Sequence, residues 1–197
     1  MDEATIAPAI VRMSYPALFR SMLRDERFLR VWISQAHDQK NKVHEMTEFS
    51  GIEKLLALEE IKLLKARRDR AVDTKDWDLY LSLHAPDHVS HNDGYERWNN
   101  AQEMISNVKK LLDETKISVH HSHTPEITFE SPVKAKGIWA MEDNIFWKQG
   151  DEDHWLHGFG FYHETYEKRD GKWLFTSRQL KRTHVLTSAG TKGVLQP

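Results

Sequence analysis

The segment Val119-His120-His121-Ser122-His123 and the aspartates Asp73 and Asp143 are where this chain could carry out acid–base chemistry. Imidazole titrates near neutral pH, and a neutral histidine beside a carboxylate is a general base that needs no cofactor. Either Asp73 or Asp143 could supply the carboxylate and fix the ring's tautomer. Three histidines on one short strand also raise the question of a metal. On a strand, however, His121 and His123 share one face and His120 takes the other, so no three-histidine face forms. The helical HExxH spacing is absent too. No metal and no cofactor are expected. There is also no GxGxxG, no Walker sequence and no GxSxG elbow, which removes the signatures of nucleotide and acyl-enzyme chemistry.

Each aspartate stands out by its company. Alternation along Val133–Trp147 places Trp139, Met141, Asp143, Ile145 and Trp147 on one face, with Asp143 the only charge in that row. A buried carboxylate is costly without a partner, so Asp143 serves either a salt bridge or a site. Asp73 follows Ala66 by seven residues, which puts it on the same helical stripe at the helix end. A capping aspartate would explain it equally well. Arg68, five residues earlier, reads as readily as a solvated helix charge.

The elements that must position these groups divide into helices first and strands afterwards. Helices are expected at Ile52–Val72, Trp77–Leu83 and Ala101–Glu114. Apolar residues spread around most of the first helix, which predicts cover on several sides. Strands are expected at Lys116–His123, Glu126–Glu130, Val133–Trp147, His154–Lys168 and Lys172–Val185. Asp170-Gly171 is a hairpin signal between the last two. The pattern is an α+β layout with a long, twisted antiparallel sheet. Residues 1–50, with the apolar stretch Ala17–Ala36, read as a helical arm; residues 51–188 form one domain, and residues 189–197 a tail.

Composition narrows the function classes. With 197 residues the chain can bury one sizeable core. Lys plus Arg number 28 against 30 Asp plus Glu, a formal charge of -2, so no basic surface for nucleic acid or anionic lipid is expected. There is no cysteine, which excludes disulfides, zinc–thiolate sites and thiol nucleophiles. No apolar run approaches the roughly 18 residues of a membrane span. Met1-Asp2-Glu3 lacks the basic start of a signal peptide, so a soluble, cytoplasmic protein is expected. The 12 His and 7 Trp suggest a pocket.

Several pieces in order resemble the SnoaL-like branch of the NTF2-like superfamily, the branch of scytalone dehydratase and a bile-acid dehydratase. They are Ala71-Val72-Asp73-Thr74-Lys75-Asp76-Trp77, Ala85-Pro86-Asp87, the His120 strand, Gly137–Asp143 and the closing Tyr166–Trp173 hairpin. The resemblance covers about Ile52 to Val185. It implies a cone in which a curved antiparallel sheet wraps around helices and leaves a deep, largely apolar pocket. It further implies a cofactor-free lyase with an Asp–His base, and a homo-oligomer, trimer favoured over dimer. By motif, Asp73 matches the family's aspartate and His120 its histidine, while Asp143 falls near a second supporting carboxylate. His121 stays open as the alternative histidine.

The chain departs from its relatives at the groups that read substrate: Arg68 stands where they place Tyr or Lys, and Trp139, Gly160, Tyr162 and Asn92 replace their pocket residues. The resemblance therefore predicts a lyase, losing water or formaldehyde, for a hydrophobic, hydroxylated aromatic or polycyclic substrate. Arg68, Asn92, His121, Trp139 and Tyr162 are its candidate substrate contacts. An isomerase, a polyketide cyclase or a non-catalytic binding protein of the same fold is the alternative.

Overall fold

In the computed structural model, residues 49–94 and 96–189 are described; the arm helix expected over Ala17–Ala36 and the tail beyond Ala189 lie outside them. Helix α1 spans Gly51–Asp73, α2 Trp77–Ser82 and α3 Ala101–Leu111. Strands follow at β1 (His84–Asn92), β2 (Ile117–Ser131), β3 (Lys134–Gln149), β4 (Glu152–Arg169) and β5 (Lys172–Thr187). They make one five-stranded sheet, curved and unclosed, in the order β1-β5-β4-β3-β2.

The sheet departs from expectation in two places. Strand β1 was not expected from the residue pattern, and it pairs parallel with β5, so the sheet is mixed rather than wholly antiparallel. Pro86 reads as a breaker, yet it is tolerated because β1 is an edge strand whose ladder shifts register between His84 and Val89. The two segments expected around Thr124 are also one strand, β2, with an irregularity between Ser122 and Pro125 absorbing the proline. The β4–β5 hairpin turns on Asp170 (φ 49) and Gly171 (φ 77), the two left-handed residues a tight hairpin requires.

Helix α1 buries Ala57, Ile61, Leu64, Lys65, Arg68, Asp69 and Val72, a stripe at three- and four-residue spacing. The described residues cover one side of it, and Leu55, Leu56 and Leu63 are exposed. The buried stripe instead carries three charges, which face the inner side of the sheet.

The end of α1 is shaped by its exit. Lys75 takes a left-handed conformation (φ 55), Lys75 N–H donates to Val72 O (3.3 Å) and Asp76 N–H donates to Ala71 O (2.9 Å). This is a Schellman-type stop. Asp76 then caps α2 by accepting from Leu79 N–H (3.1 Å). The corner fixes Asp73 at the last turn of α1 and aims it at the start of β2.

An apolar cluster closes this end of the domain. Ala71, Val72, Tyr80, Trp98, Met104, Ile105, Val108 and Leu112 pack together, drawn from α1, α2, α3 and the loops between them. Helix α3 is amphipathic and starts on Asn100, whose side chain accepts from Glu103 N–H (2.7 Å).

Candidate active site

Two carboxylates on consecutive turns of α1 face alternate residues of β2. A strand places every second side chain on one face and a helix every fourth, so Asp69 and Asp73 meet Ser118, His120 and Ser122. Asp73 is enclosed by donors. The Nδ1–H of His120 donates to its Oδ1 (2.6 Å), Ser118 Oγ–H donates to the same oxygen (2.9 Å), and His120 N–H donates to Oδ2 (2.8 Å). A helix C-terminus disfavours an anion, and these three donors offset that cost.

Because a carboxylate only accepts, the bond to Asp73 keeps the ring proton on Nδ1 and leaves the Nε2 lone pair free. Nε2 makes no hydrogen bond to a described residue. The His120 side chain is 9% exposed and Asp73 21%, so the dyad is mostly dry but reachable. Both line a cleft of about 550 Å³ together with Asp69, Arg70 and Ser122. A larger groove of about 740 Å³, lined by residues such as Glu126, Lys136, His163 and Gln179, contains neither member of the dyad. Chemistry rather than size places the candidate site at the smaller cleft.

Asp143 lies directly across the sheet from His120 in the β2–β3 ladder. Both of its oxygens are held by a partner other than the imidazole. Arg182 donates from both terminal nitrogens to its two oxygens, each at 2.7 Å. The pair occupies a slot left by Gly158, where a Cβ would stand 1.9 Å from Arg182 Nη1 and 2.3 Å from Asp143 Oδ1. His121 points to the other side of the strand, half exposed and bonded to Glu142 (2.8 Å), and also borders the cleft. Among the two histidines left open by the sequence, His120 is the one facing Asp73.

The remaining candidates sit deeper. Arg68 is buried, donating to Tyr80 Oη (2.7 Å) and Asp69 Oδ1 (3.0 Å), with Nε unpartnered. Those anionic and phenolic neighbours hold its guanidinium charged despite the desolvation that opposes it. Tyr162 is buried with a hydroxyl that has no partner, and the Arg178 guanidinium lies 3.8 Å from its ring centroid. Burial first, then the charge of Asp143, raises its pKa well above the usual phenol value, so it is a donor and not a base. Trp139 is buried and donates its Nε1–H to Tyr166 Oη (2.7 Å), which commits it to the interior. Asn92, at the end of β1, has a buried Oδ1 with no partner.

Residue spacing left several participants unremarked: Asp69, Ser118, Ser122, Arg182, and the fully buried pair Lys65–Glu164 (2.6 Å). Asp69 was within reach of inspection, one turn before Asp73, with serines two positions either side of His120. Arg182 was not, since only the register of β5 brings it to Asp143. Among the described residues, no cluster of three or more His, Asp or Glu is arranged to hold a metal ion. No helix among them is long and apolar enough to cross a membrane.

A curved sheet backed by one long helix, with a His–carboxylate dyad where the two meet, is the frame of one class of small-molecule-binding domains. The SnoaL-like domain model matches residues 53–179, and the chain belongs to that family. Solved structures agree on the fold. A scytalone dehydratase-like protein of Novosphingobium aromaticivorans is 16% identical with a TM-score of 0.63, over 75% of this chain and 99% of that one. A type 3 hexachlorocyclohexane dehydrochlorinase of Novosphingobium barchaimii is 19% identical, TM-score 0.60, over 75% and 100%. A type 2 enzyme of the same name is 18% identical, TM-score 0.62, over 75% and 98%.

Proposed function

We propose that the chain is a cofactor-independent lyase in which His120 is the general base and Asp73 its orienting carboxylate. The observation that carries this reading is the dyad. Nδ1–H is held by Asp73, Nε2 is unengaged, and both residues border an open cleft. Nε2 takes a proton from a substrate carbon, and Asp73 balances the imidazolium that results. The C–O bond then breaks, and the departing hydroxyl leaves as water with a proton returned from the imidazolium. If the proton comes instead from a substrate hydroxyl, its electrons form the carbonyl as the C–C bond breaks, formaldehyde is lost, and the carbon left with the bond's electron pair takes the proton back from the imidazolium. Tyr162, kept protonated by burial and with a hydroxyl that has no partner, is the candidate donor for the developing oxyanion. Arg68 is the weaker candidate, because its terminal nitrogens are already committed.

The similarity to a scytalone dehydratase-like protein and to dehydrochlorinases supports elimination chemistry and a hydrophobic, hydroxylated substrate. The test is mass spectrometry of the protein, with nothing added, against hydroxysteroids, hydroxylated polyketides and lignin-type diaryl diols. A product lighter by water or formaldehyde is expected. Asp73→Asn and His120→Gln should each reduce its formation about 100- to 10,000-fold. An unchanged mass with altered chromatography assigns the dyad to isomerisation or cyclisation. Ligand retention without conversion by wild type and both variants makes the domain a binding protein.

A further inference from the structure

His120 has an aspartate on each of two neighbouring elements, Asp73 on α1 and Asp143 at the paired position of β3, and only Asp73 holds its ring. Asp73 approaches from the end of α1, while Asp143 is its directly opposite neighbour on β3, where paired side chains have Cβ atoms roughly 5 Å apart. We propose that Arg182 is the positioning residue that gives these two carboxylates their different roles. By taking both oxygens of Asp143, it leaves Asp73 as the imidazole's single anionic partner and keeps Nε2 free. The proposal rests on the reading of Nε2 as the reactive nitrogen.

Three observations carry it. The Arg182–Asp143 contact is bidentate at 2.7 Å on both arms, which fixes the carboxylate in orientation as well as charge. The pair is nearly dry, with Asp143 4% and Arg182 15% exposed, so an Asp143 without Arg182 would need another cation at once. Its register partner on β2, His120, is a convertible one, which becomes a cation by taking a proton on Nε2. Gly158 supplies the third observation: it is the strand position at which any side chain would invade the space of both partners. Arg182 also lies beyond the segment matched by the family model, which stops at residue 179.

The other groups around the ring do not substitute for this arrangement. From α1, Asp69 faces His120 but is held by Ser122 (2.6 Å) and Arg68 (3.0 Å), and Arg70, a cation that borders the same cleft, is unchanged in every variant. From β2 itself, Ser118 and Ser122 are neutral. From β3 and β5, Asp143 and Arg182 are the charged pair in question.

The test is nitrogen-15 NMR of the histidine side chains in the full chain, which separates imidazolium from the neutral Nδ1–H tautomer and needs no substrate. His120→Gln identifies the signal. At one fixed pH, Arg182→Met should raise the ratio of imidazolium to imidazole at His120 about tenfold or more, the effect of an opposite charge arriving within a few ångströms. Adding Asp143→Asn to Arg182→Met should return the ratio to near the wild-type value. Asp143→Asn alone should change it less than threefold, because Asp143 is already neutralised. The proposal is overturned if Arg182→Met leaves the ratio unchanged, or if the double variant keeps the increase. It is equally overturned if Asp143→Asn alone lowers the ratio tenfold, since Asp143 would then be acting on His120 in the native protein. Gly158→Ala moves the pair without deleting a charge, and serves if Arg182→Met does not fold: its His120 ratio should rise severalfold, and no change there counts against Arg182. Loss of turnover in His120→Gln bears on the catalytic reading alone, so the two can fail separately.

Discussion

The apolar cluster around Met104 and the charged stripe of α1 are both buried, yet they are held by opposite physics. In the first, Tyr80, Trp98, Met104, Ile105 and Val108 leave water together, and the transfer of apolar surface is favourable in itself. In the second, Lys65, Arg68, Asp69, Glu164 and Arg178 are taken from water at a cost that their mutual bonds only offset. Lys65 and Glu164 illustrate it: 2.6 Å apart and almost inaccessible, with Tyr166 Oη donating to the other carboxylate oxygen (2.6 Å). A hydrophobic filling of the same volume would fold at least as well. The cluster therefore builds the domain, and the stripe is what the domain was built around.

That contrast is broken most sharply at Glu164. Replacing it with Gln strands Lys65 among the rings of Tyr162 and Trp139 and should cost about 3–5 kcal/mol in urea unfolding at neutral pH. Burial already lowers the Lys65 pKa, with Glu164 the chief opposing influence. The loss should accordingly shrink at alkaline pH, where the stranded amine can give up its proton. Lys65→Met with Glu164→Leu removes both charges and should recover part of that loss, the remainder being the Tyr166 hydroxyl and Arg178 left without Glu164. In that cluster Met104, 1% exposed, should cost about 3 kcal/mol when cut to Ala, at every pH alike.

Acid should find the stripe's neighbour on β1 rather than the apolar cluster. His84 and His88 are buried side by side, ring centroids 4.7 Å apart, with His84 Nδ1 bonded to Tyr80 O (2.6 Å) and His88 Nε2 to Ser90 Oγ (2.9 Å). Desolvation is the main reason that His88 is lowered from 6.5 to about 4, and His84 is lowered well below 6.5 for the same reason. The unfolded chain then binds a proton that the folded chain refuses. Stability is full above about pH 6.5, falls as pH drops toward 4, and loses about 3 kcal/mol through His88 alone. Urea midpoints measured at pH 7 and pH 4.5 should show the fall in wild type and a smaller one in His88→Gln. Equal falls would place the acid lability elsewhere.

How much of this was legible follows the same division. Periodicity found α1 and α3, and alternation with turn chemistry found β3, β4 and β5, because those signals come from apolar burial and local backbone preference. Strand β1 escaped because Pro86 and polar His88, Ser90 and His91 carry no apolar alternation; its place is set by pairing with β5. The meeting of Asp73 with His120 was anticipated by resemblance and by residue type. The partner of Asp143 was not, since Arg182 is 39 residues away and only the β4–β5 register brings the two together. Nor could the charges on α1 be sorted in advance: Lys65 and Lys62 are alike in sequence, and one is buried while the other is not.

Asp76 tests the corner that joins the two regions. Its amide closes the Schellman stop of α1 on Ala71, and its carboxylate caps α2 at Leu79 N–H, so one residue ends the helix that carries Asp73 and begins the one that carries Tyr80. Asp76→Ala removes only the second function, because the amide remains. The cost should be about 1 kcal/mol, the usual worth of such a cap, read as a lower urea midpoint with an unchanged slope. Asp73 keeps its donors from Ser118 and from both nitrogens it holds on His120, so turnover should stay within about twofold of wild type at temperatures below unfolding. A larger loss of activity than of stability would mean that the cap, and with it the apolar cluster, holds the dyad in register.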